Sequence, residues 1–299
     1  MSARKQSLSP RRVGAFLPFT PRAGGVVCYR CHAPFDGKGC ACADGITLIH
    51  GDAREVLPLL ADASIDMIFT DPPYGHNNNN NGDLIHRREA ALGRLPGGAD
   101  SPLESRPIAN DGEEANDLVR WFFGESKRLL RYCCCCCCCG GGGGPDPQFA
   151  RWSLWLDEVL SFKQMVVWDK GPMGMGWHYR RSYETVLVAN KSGGKCKWYG
   201  GKTVENIIRP GDYGIAKIIP SCDQHPTPKP VGLPAHFIGL HSQPGEVILD
   251  PFCGGGSTLR AAKNLGRRAI GVELFDEWCD ATANRLRQEV LPFTEESPC

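Results

Sequence analysis

The sequence has no long apolar run and almost no net charge. Across its 299 residues, no segment approaches the roughly 20 consecutive apolar residues of a membrane helix, and the first residues lack the apolar core of a secretory signal. We therefore expect a cytoplasmic protein without a membrane partner. A formal net charge of +1 excludes a uniformly basic surface, so any contact with nucleic acid must use a local patch.

Charge and cysteine are concentrated in particular segments. Residues 1–50 carry seven Lys and Arg against two acidic residues, and we interpret residues 1–24 as a basic, disordered arm. Sixteen cysteines would suit a secreted disulfide framework, but seven of them are consecutive, from Cys133 to Cys139. Adjacent residues cannot all pair in a compact fold, so reduced thiols in a cytoplasmic enzyme fit better.

Four further cysteines lie close together within residues 25–44. Cys28, Cys31, Cys40 and Cys42 have the spacing C-x2-C-x8-C-x-C. Four thiolates near one turn are a ligand set for a structural zinc ion, and His32 could replace one of them. Free thiols are the alternative reading of the same pattern.

Short β-type runs alternate with helical stretches from residue 45 to residue 292, which predicts one α/β domain with a doubly wound, mostly parallel sheet. The predicted strands are 46–50, 65–70, 132–139, 164–168, 185–189, 247–249 and 269–273. The predicted helices are 54–60, 115–130, 148–160, 231–241, 258–265 and 276–290. Because a thiol is a small hydrophobe, the cysteine run is interpreted as a central strand buried on both faces.

Residues 76–114 resist this alternation and are predicted to form a long loop. A loop of this length is either a functional lid or a disordered insertion, and both readings remain open. As a lid it would offer Arg87 and Arg88 to DNA phosphates, although the acidic residues of the same stretch oppose uniform binding.

Two turns carry the chemistry. Asp71-Pro72-Pro73-Tyr74 follows one predicted strand and offers a carboxylate, a carbonyl and an aromatic ring, which suit an exocyclic amine on a stacked base. The glycine-rich turn from Asp250 to Thr258 follows another strand and suits a nucleoside without phosphates. Ligands of open α/β sheets bind at the carboxyl ends of the strands, where both turns lie.

These turns, with His225-Pro226-Thr227-Pro228-Lys229-Pro230 before the second, resemble the DNA amino-methyltransferases that use S-adenosylmethionine, in the motif order of their beta group. The resemblance implies a circularly permuted, Rossmann-like sheet of seven strands in which strand 185–189 is antiparallel. It also implies catalysis by Asp71, Pro72, Pro73 and Tyr74: the Asp71 carboxylate and the Pro72 carbonyl accept the amine, and Tyr74 stacks on a flipped base.

The resemblance also implies a set of cofactor-binding residues. Glycines 254–256 allow the amino-acid part of the cofactor to approach the backbone, Glu273 accepts its ribose hydroxyls, and Asp52 meets its adenine end. Thr227 and Lys229 are candidates for its carboxylate. The full expected set is Asp52, Thr227, Lys229, Asp250, Pro251, Phe252, Cys253, Gly254, Gly256, Ser257, Thr258 and Glu273.

Target recognition is predicted for residues 191–223 and the segment before them. His178, Arg180, Arg181 and Lys197 are interleaved with aromatic residues, as on many nucleic-acid-binding surfaces. Aromatic packing over the edge of the sheet explains the same residues equally well. The short interval implies a short target sequence.

The leading hypothesis is a site-specific DNA methyltransferase that modifies the N6 amine of adenine, because aspartate at position 71 follows the adenine habit of the resembled family. N4 methylation of cytosine is the alternative within the same chemistry. From another class, a zinc-bearing DNA-binding protein with an inactive methyltransferase domain remains open. The expected partner is double-stranded DNA, with a cognate restriction endonuclease if the enzyme belongs to a restriction-modification system. A monomer and a homodimer both fit the sequence.

Overall fold

A computed structural model describes residues 26–40, 42–74, 114–131, 135–139, 148–171, 182–191, 197–215 and 229–288. The strands are β1 (Ile46–His50), β2 (Met67–Thr70), β3 (Cys135–Cys139), β4 (Ser161–Asp169), β5 (Tyr183–Asn190), β6 (Ile207–Ile208), β7 (Val247–Asp250) and β8 (Arg268–Glu273). The α-helices are α1 (Ala53–Val56), α2 (Ala115–Leu129), α3 (Gln148–Val159), α4 (Gly232–His241), α5 (Ser257–Asn264) and α6 (Asp276–Arg287). Short 3-10 helices cover Leu57–Leu59 and Asp212–Gly214. Among these residues, no helix combines the length and apolarity that crossing a membrane requires.

The described strands form one sheet in the order β1-β8-β7-β2-β3-β5-β4-β6. β5 is antiparallel to both of its neighbours, as expected, and the other pairings are parallel. The last two strands of the chain therefore lie between the first two, so β7 pairs directly with β2. This order brings the two turns that carry the chemistry side by side, as the sequence predicted. The circular permutation itself stays a prediction.

The sheet differs from expectation in its edge and in some strand ends. An eighth strand, β6, pairs with β4 and is only two residues long, which is too short for an alternating pattern to show in the sequence. β2 begins at Met67, because Ile65 forms only an isolated bridge with Leu130. Cys135–Cys139 of the cysteine run form β3, which lies between β2 and β5 in the interior position that was predicted.

Helices cover both faces of this sheet. Leu48 and Ile49 are consecutive in β1 and belong to opposite core clusters, as the alternation of a strand requires. One cluster includes Trp152 of α3 together with residues of α1 and α2, and the other includes Phe237 of α4 together with residues of α5 and α6. Each fully buried large apolar side chain contributes about 1.5–3 kcal/mol. The two layers leave the carboxyl end of the strands as the place for a site.

Two predicted segments fall outside the described residues. The basic arm (residues 1–24) lies outside the described residues, as does the loop of residues 76–114 except for Glu114, which precedes α2. Both interpretations therefore stay predictions.

Candidate active site

The two chemical turns are joined at the carboxyl ends of β2 and β7. The Thr70 hydroxyl donates a 2.7 Å hydrogen bond to Oδ1 of Asp250. Both side chains are buried. Asp71 is the residue that follows Thr70, so this bond fixes the backbone from which Asp71 extends. Sequence reasoning did not select Thr70, because a threonine that ends an apolar strand carries no signal of its distant partner.

The Asp71 carboxylate is occupied on both oxygens. Lys229 Nζ lies 2.6 Å from Oδ2, and the Tyr74 hydroxyl donates to Oδ1. The Tyr74 ring centroid lies 6.0 Å from that of the buried Trp152 and 5.7 Å from Lys229 Nζ. Pro72 is buried and Pro73 is half-buried. Because proline has a fixed φ and no backbone N–H, the two prolines make this turn rigid without adding hydrogen-bond donors that would need partners. The structure therefore brings the four predicted catalytic residues together.

Lys229 links Asp71 to a second carboxylate that sequence reasoning missed. Glu184 Oε2 lies 3.4 Å from Lys229 Nζ, and its Oε1 lies 2.6 Å from Lys170 Nζ. Burial raises the pKa of Glu184, but the two lysines outweigh burial and hold that pKa below its usual value. Glu184 is the only acidic residue of β5, and a lone charge in an otherwise uncharged strand is the signal that could have identified it.

The pKa of Asp71 is shifted in the opposite direction from that of Glu184. Burial raises the pKa of the Asp71 carboxyl above its ordinary value; Lys229 opposes this rise and Glu184 adds to it. The Asp71 side chain keeps 24% of its exposure, against 11% for Lys229, so Asp71 is the more accessible of the two.

The glycine-rich turn has a backbone that favours glycine. Gly254 and Gly256 have φ values of 46° and 75°, in the left-handed region. A Cβ on Gly256 would lie 2.6 Å from Cγ2 of Thr282, whose hydroxyl donates to the Gly254 carbonyl at 2.7 Å. Thr282 of helix α6 therefore packs against the glycine-rich turn and bonds to its backbone. Thr282 was not identified from the sequence.

The remaining residues of the turn support this arrangement. Ser257 Oγ donates to the Lys229 carbonyl at 2.6 Å, which ties the proline-lysine segment to the turn. The Phe252 ring is 5.5 Å from that of Phe122. Pro251, Cys253 and Thr258 are buried within the turn. Cys253 therefore acts as a packing residue.

Asp250 and Glu273 end β7 and β8, and Asp52 lies two residues after β1. Glu273 Oε2 and Oε1 accept the backbone N–H groups of Gly254 (2.8 Å) and Phe275 (2.9 Å). Burial raises the pKa of Glu273 to about 7 and that of Asp250 to about 6. Asp52, after β1, caps α1 and pairs with Arg54 at 2.5 Å.

These carboxylate acceptors fit the expected nucleoside cofactor. Each carboxylate oxygen of Glu273 has a second lone pair, so it can accept a hydroxyl in addition to its backbone bond. Acidic groups beside a left-handed glycine turn favour hydroxyl and cationic groups, whereas the phosphates of a dinucleotide would be repelled.

Several predicted residues are not among those that the structure brings to this site. Arg87, Arg88, His178, Arg180, Arg181 and Thr227 lie outside the described residues. Lys197 forms an ion pair with Glu246, which precedes β7 and therefore lies at the opposite end of that strand from Asp250. This position gives its predicted DNA contact no support. Cys28, Cys31, Cys40 and Cys42 come together beside β1.

Comparison with known proteins gives concordant results. A DNA methylase family model for N6 and N4 methyltransferases matches residues 65–284. The Type II methyltransferase M.HinfI of Haemophilus influenzae is 27% identical over 275 residues, covering 81% of this chain and 68% of the relative. The Type II methyltransferase M2.DpnII of Streptococcus pneumoniae is 26% identical over 269 residues, covering 81% and 90%.

Solved structures share the fold at low sequence identity. The M1.HpyAVI–SAM complex has a TM-score of 0.57 at 24% identity and covers 81% of this chain and 100% of that chain. The cytosine-N4-specific PvuII DNA methyltransferase has a TM-score of 0.58 at 18% identity, with coverage of 83% and 88%.

Proposed function

Because this chain belongs to the DNA methylase family of N6 and N4 amino-methyltransferases, we propose that it transfers a methyl group from S-adenosylmethionine to the N6 amine of an adenine in DNA. One observation carries the proposal. The Asp71 turn and the Asp250 turn are joined at neighbouring strand ends by the Thr70–Asp250 hydrogen bond. A glycine turn alone would also suit other nucleosides, but a turn built for an amine beside it suits this reaction.

The glycine-rich turn and its flanking carboxylates would hold the cofactor. S-adenosylmethionine, when bound, supplies a methyl group already activated on a sulfonium. Glu273 would accept its ribose hydroxyls, Asp52 would meet its adenine end, and the backbone at Gly254 and Gly256 would admit its amino-acid part. Asp250 and Glu273, which pair with no lysine among the described residues, would lie close to the sulfonium cation, which favours their ionised forms.

Asp71 would act on the nucleophile. The lone pair of an exocyclic amine is conjugated with its ring, so the amine is a poor nucleophile. Hydrogen bonds from the amine to the Asp71 carboxylate and the Pro72 carbonyl favour a tetrahedral nitrogen and stabilise its developing positive charge. One preorganised contact of this kind lowers a barrier by about 3–4 kcal/mol.

The resting contacts of Asp71 must open for this. The Tyr74 hydroxyl and Lys229 both occupy the carboxylate, so an incoming base has to displace at least one of them. Lys229 can remain paired with Glu184 when it releases Asp71, which lowers the cost of that exchange. The freed Tyr74 ring would stack on the flipped base and return about 1–3 kcal/mol of the few kcal/mol that flipping costs.

Nucleoside mass spectrometry tests the reaction and the base. Purified protein, S-adenosylmethionine and unmethylated DNA should yield N6-methyladenine, and Asp71→Ala should yield none while it still binds the cofactor. Glu277→Ala, which removes an exposed carboxylate on α6, is the matched control and should remain active. N4-methylcytosine would preserve the role of Asp71 and overturn the choice of base.

The same experiment separates the alternative from another class. A folded protein that binds neither S-adenosylmethionine nor its demethylated product would refute methyl transfer and favour a DNA-binding protein with an inactive methyltransferase domain. If transfer occurs, resistance of the modified DNA to restriction endonucleases would identify the target.

A further inference from the structure

Four thiols that play no part in methyl transfer converge beside β1. The Sγ atoms of Cys28, Cys31, Cys40 and Cys42 all lie within 4.8 Å of one another, and those of Cys28 and Cys42 are 3.9 Å apart. Tetrahedral zinc with Zn–S distances of about 2.3 Å separates its sulfur ligands by about 3.8 Å. The thiols therefore need to move by only about an ångström to bind one ion. His32 does not belong to this group.

Two independent turns present the thiols. In the first, the Cys28 carbonyl accepts the His32 N–H at 2.8 Å, and His32 itself has a left-handed φ of 57°. This chain reversal places Cys28 and Cys31 on the same side. In the second, Gly39 has a φ of 133°, and the Cys40 N–H donates to the Thr47 hydroxyl at 2.9 Å. Cys31 is exposed, so hydrophobic burial does not explain why it faces the other three.

We propose that these four cysteines bind one Zn²⁺ as thiolates and that the ion clamps residues 26–44 over the edge of the sheet. Binding forms four Zn–S bonds and releases four thiol protons, with no change of oxidation state. The product is a closed site with no position for substrate, so its role is structural. Zinc is the favoured metal because a tetrahedral set of four thiolates suits it.

The clamp would cover a strand that is otherwise unpaired on one side. β1 lies at the end of the sheet order and pairs along its length only with β8 among the described strands. On its other side, the Tyr29 N–H donates to the Leu48 carbonyl at 2.7 Å, and Cys28 forms an isolated bridge with Ile49. An uncovered edge strand exposes its backbone groups and invites aggregation.

Side chains of the same segment tie it to the rest of the domain. Arg30 donates to both oxygens of Asp44 at 2.8 Å and to the Ile46 carbonyl at 2.8 Å. The Tyr29 hydroxyl donates to Asp280 of α6 at 2.9 Å. Loss of the metal should therefore reduce the stability of β1 and its neighbours as well as that of the cysteine segment.

Metal content of purified variants tests the site. Protein purified without chelators should contain about one zinc per chain, Cys31→Ser should lose it, and Cys31→His should keep it, because an imidazole can replace a thiolate and Cys31 is exposed. Cys279→Ala, which removes a buried thiol of α6, is the control and should keep its zinc. The comparison between variants is essential, because the run from Cys133 to Cys139 adds seven more thiols that can retain metal.

Thermal unfolding provides a second measurement. Zinc removal by a chelator should lower the Tm of the wild type by more than about 5 °C, and Cys31→Ser should already have the lower value and lose nothing further. Equal zinc in Cys31→Ser and wild type would overturn the proposal. So would a zinc-free wild type, iron in place of zinc, or disulfides among the four cysteines. None of these outcomes depends on methyl transfer, so failure of the proposed function would be recognised separately.

Discussion

Replacing Lys229 with methionine should move the acidic limb of the activity profile to higher pH. Lys229 is 11% exposed and lies 2.6 Å from Asp71 and 3.4 Å from Glu184. Methionine keeps most of the apolar stem and removes the charge that separates these two carboxylates. One of them must then take up a proton more readily than before, and Asp71 is the candidate because Glu184 keeps Lys170 as a partner at 2.6 Å.

The size of the effect follows from the burial of the pair. Two unit charges about 4 Å apart interact by about 4 kcal/mol at an effective dielectric constant of about 20, and breaking a buried ion pair typically costs about 3–5 kcal/mol. Since 1.36 kcal/mol corresponds to one pH unit, a cost of about 3 kcal/mol corresponds to about 2 pH units. Burial already raises the pKa of Asp71, and loss of Lys229 removes the group that opposes this rise. Because the proposed reaction needs an ionised Asp71, activity should be lost at a pH where the wild type is still active.

The assay is the rate of methyl transfer to DNA from about pH 5.5 to pH 9, with kcat and the KM for S-adenosylmethionine determined separately. We expect the acidic limb of Lys229→Met to move by about 2 pH units with little change in KM. If Lys229 instead binds the cofactor carboxylate, as the resemblance implied, KM should rise and the limb should stay in place.

Lys170→Met is the matched control. It removes a lysine from the same network but leaves the contact between Lys229 and Asp71, so its limb should move much less. An unchanged limb in Lys229→Met, or an equal displacement in both variants, would refute the reasoning.

Two further predictions follow from the glycine turn and the buried carboxylates. Gly256→Ala should destabilise the fold by about 1–3 kcal/mol and weaken cofactor binding, because it combines a left-handed φ of 75° with a Cβ only 2.6 Å from Thr282. The control is Gly239→Ala in α4, where the new Cβ meets nothing within 4 Å. In urea unfolding this control should be neutral or stabilising. The free energy of unfolding should fall as the pH rises from about 4.5 to about 7, because burial raises the pKa of Glu273 to about 7 from an ordinary value of 4.5 and the folded state therefore binds more protons in that window. The contribution of Glu273 is on the order of 3 kcal/mol, and Glu273→Gln should reduce the slope to what Asp250, whose pKa burial raises to about 6, still contributes; an equal slope in wild type and variant would contradict it.

The sequence predicted what is local and missed what depends on strand order. Each turn is a contiguous run of residues, so Asp71 and Gly254 to Gly256 could be identified from the sequence. Hydrophobic alternation located the main strands. Glu184 was missed because its partner Lys229 belongs to a segment that only the order of the folded sheet brings near. Thr70 was missed for the same reason. β6 was missed because two residues give no period.

Lys229 shows why strand order changes chemistry as well as geometry. From the motif alone it was assigned to the carboxylate of the cofactor, a role that concerns only the glycine-rich side of the site. The structure pairs it with Asp71 and Glu184, so it neutralises the side where the base must bind. Within the part of the chain that the structure describes, no lysine pairs with Asp250 or Glu273, and burial raises both of their pKa values. The protein therefore supplies a lysine on the base side, whereas beside Asp250 and Glu273 a bound sulfonium would bring its own positive charge.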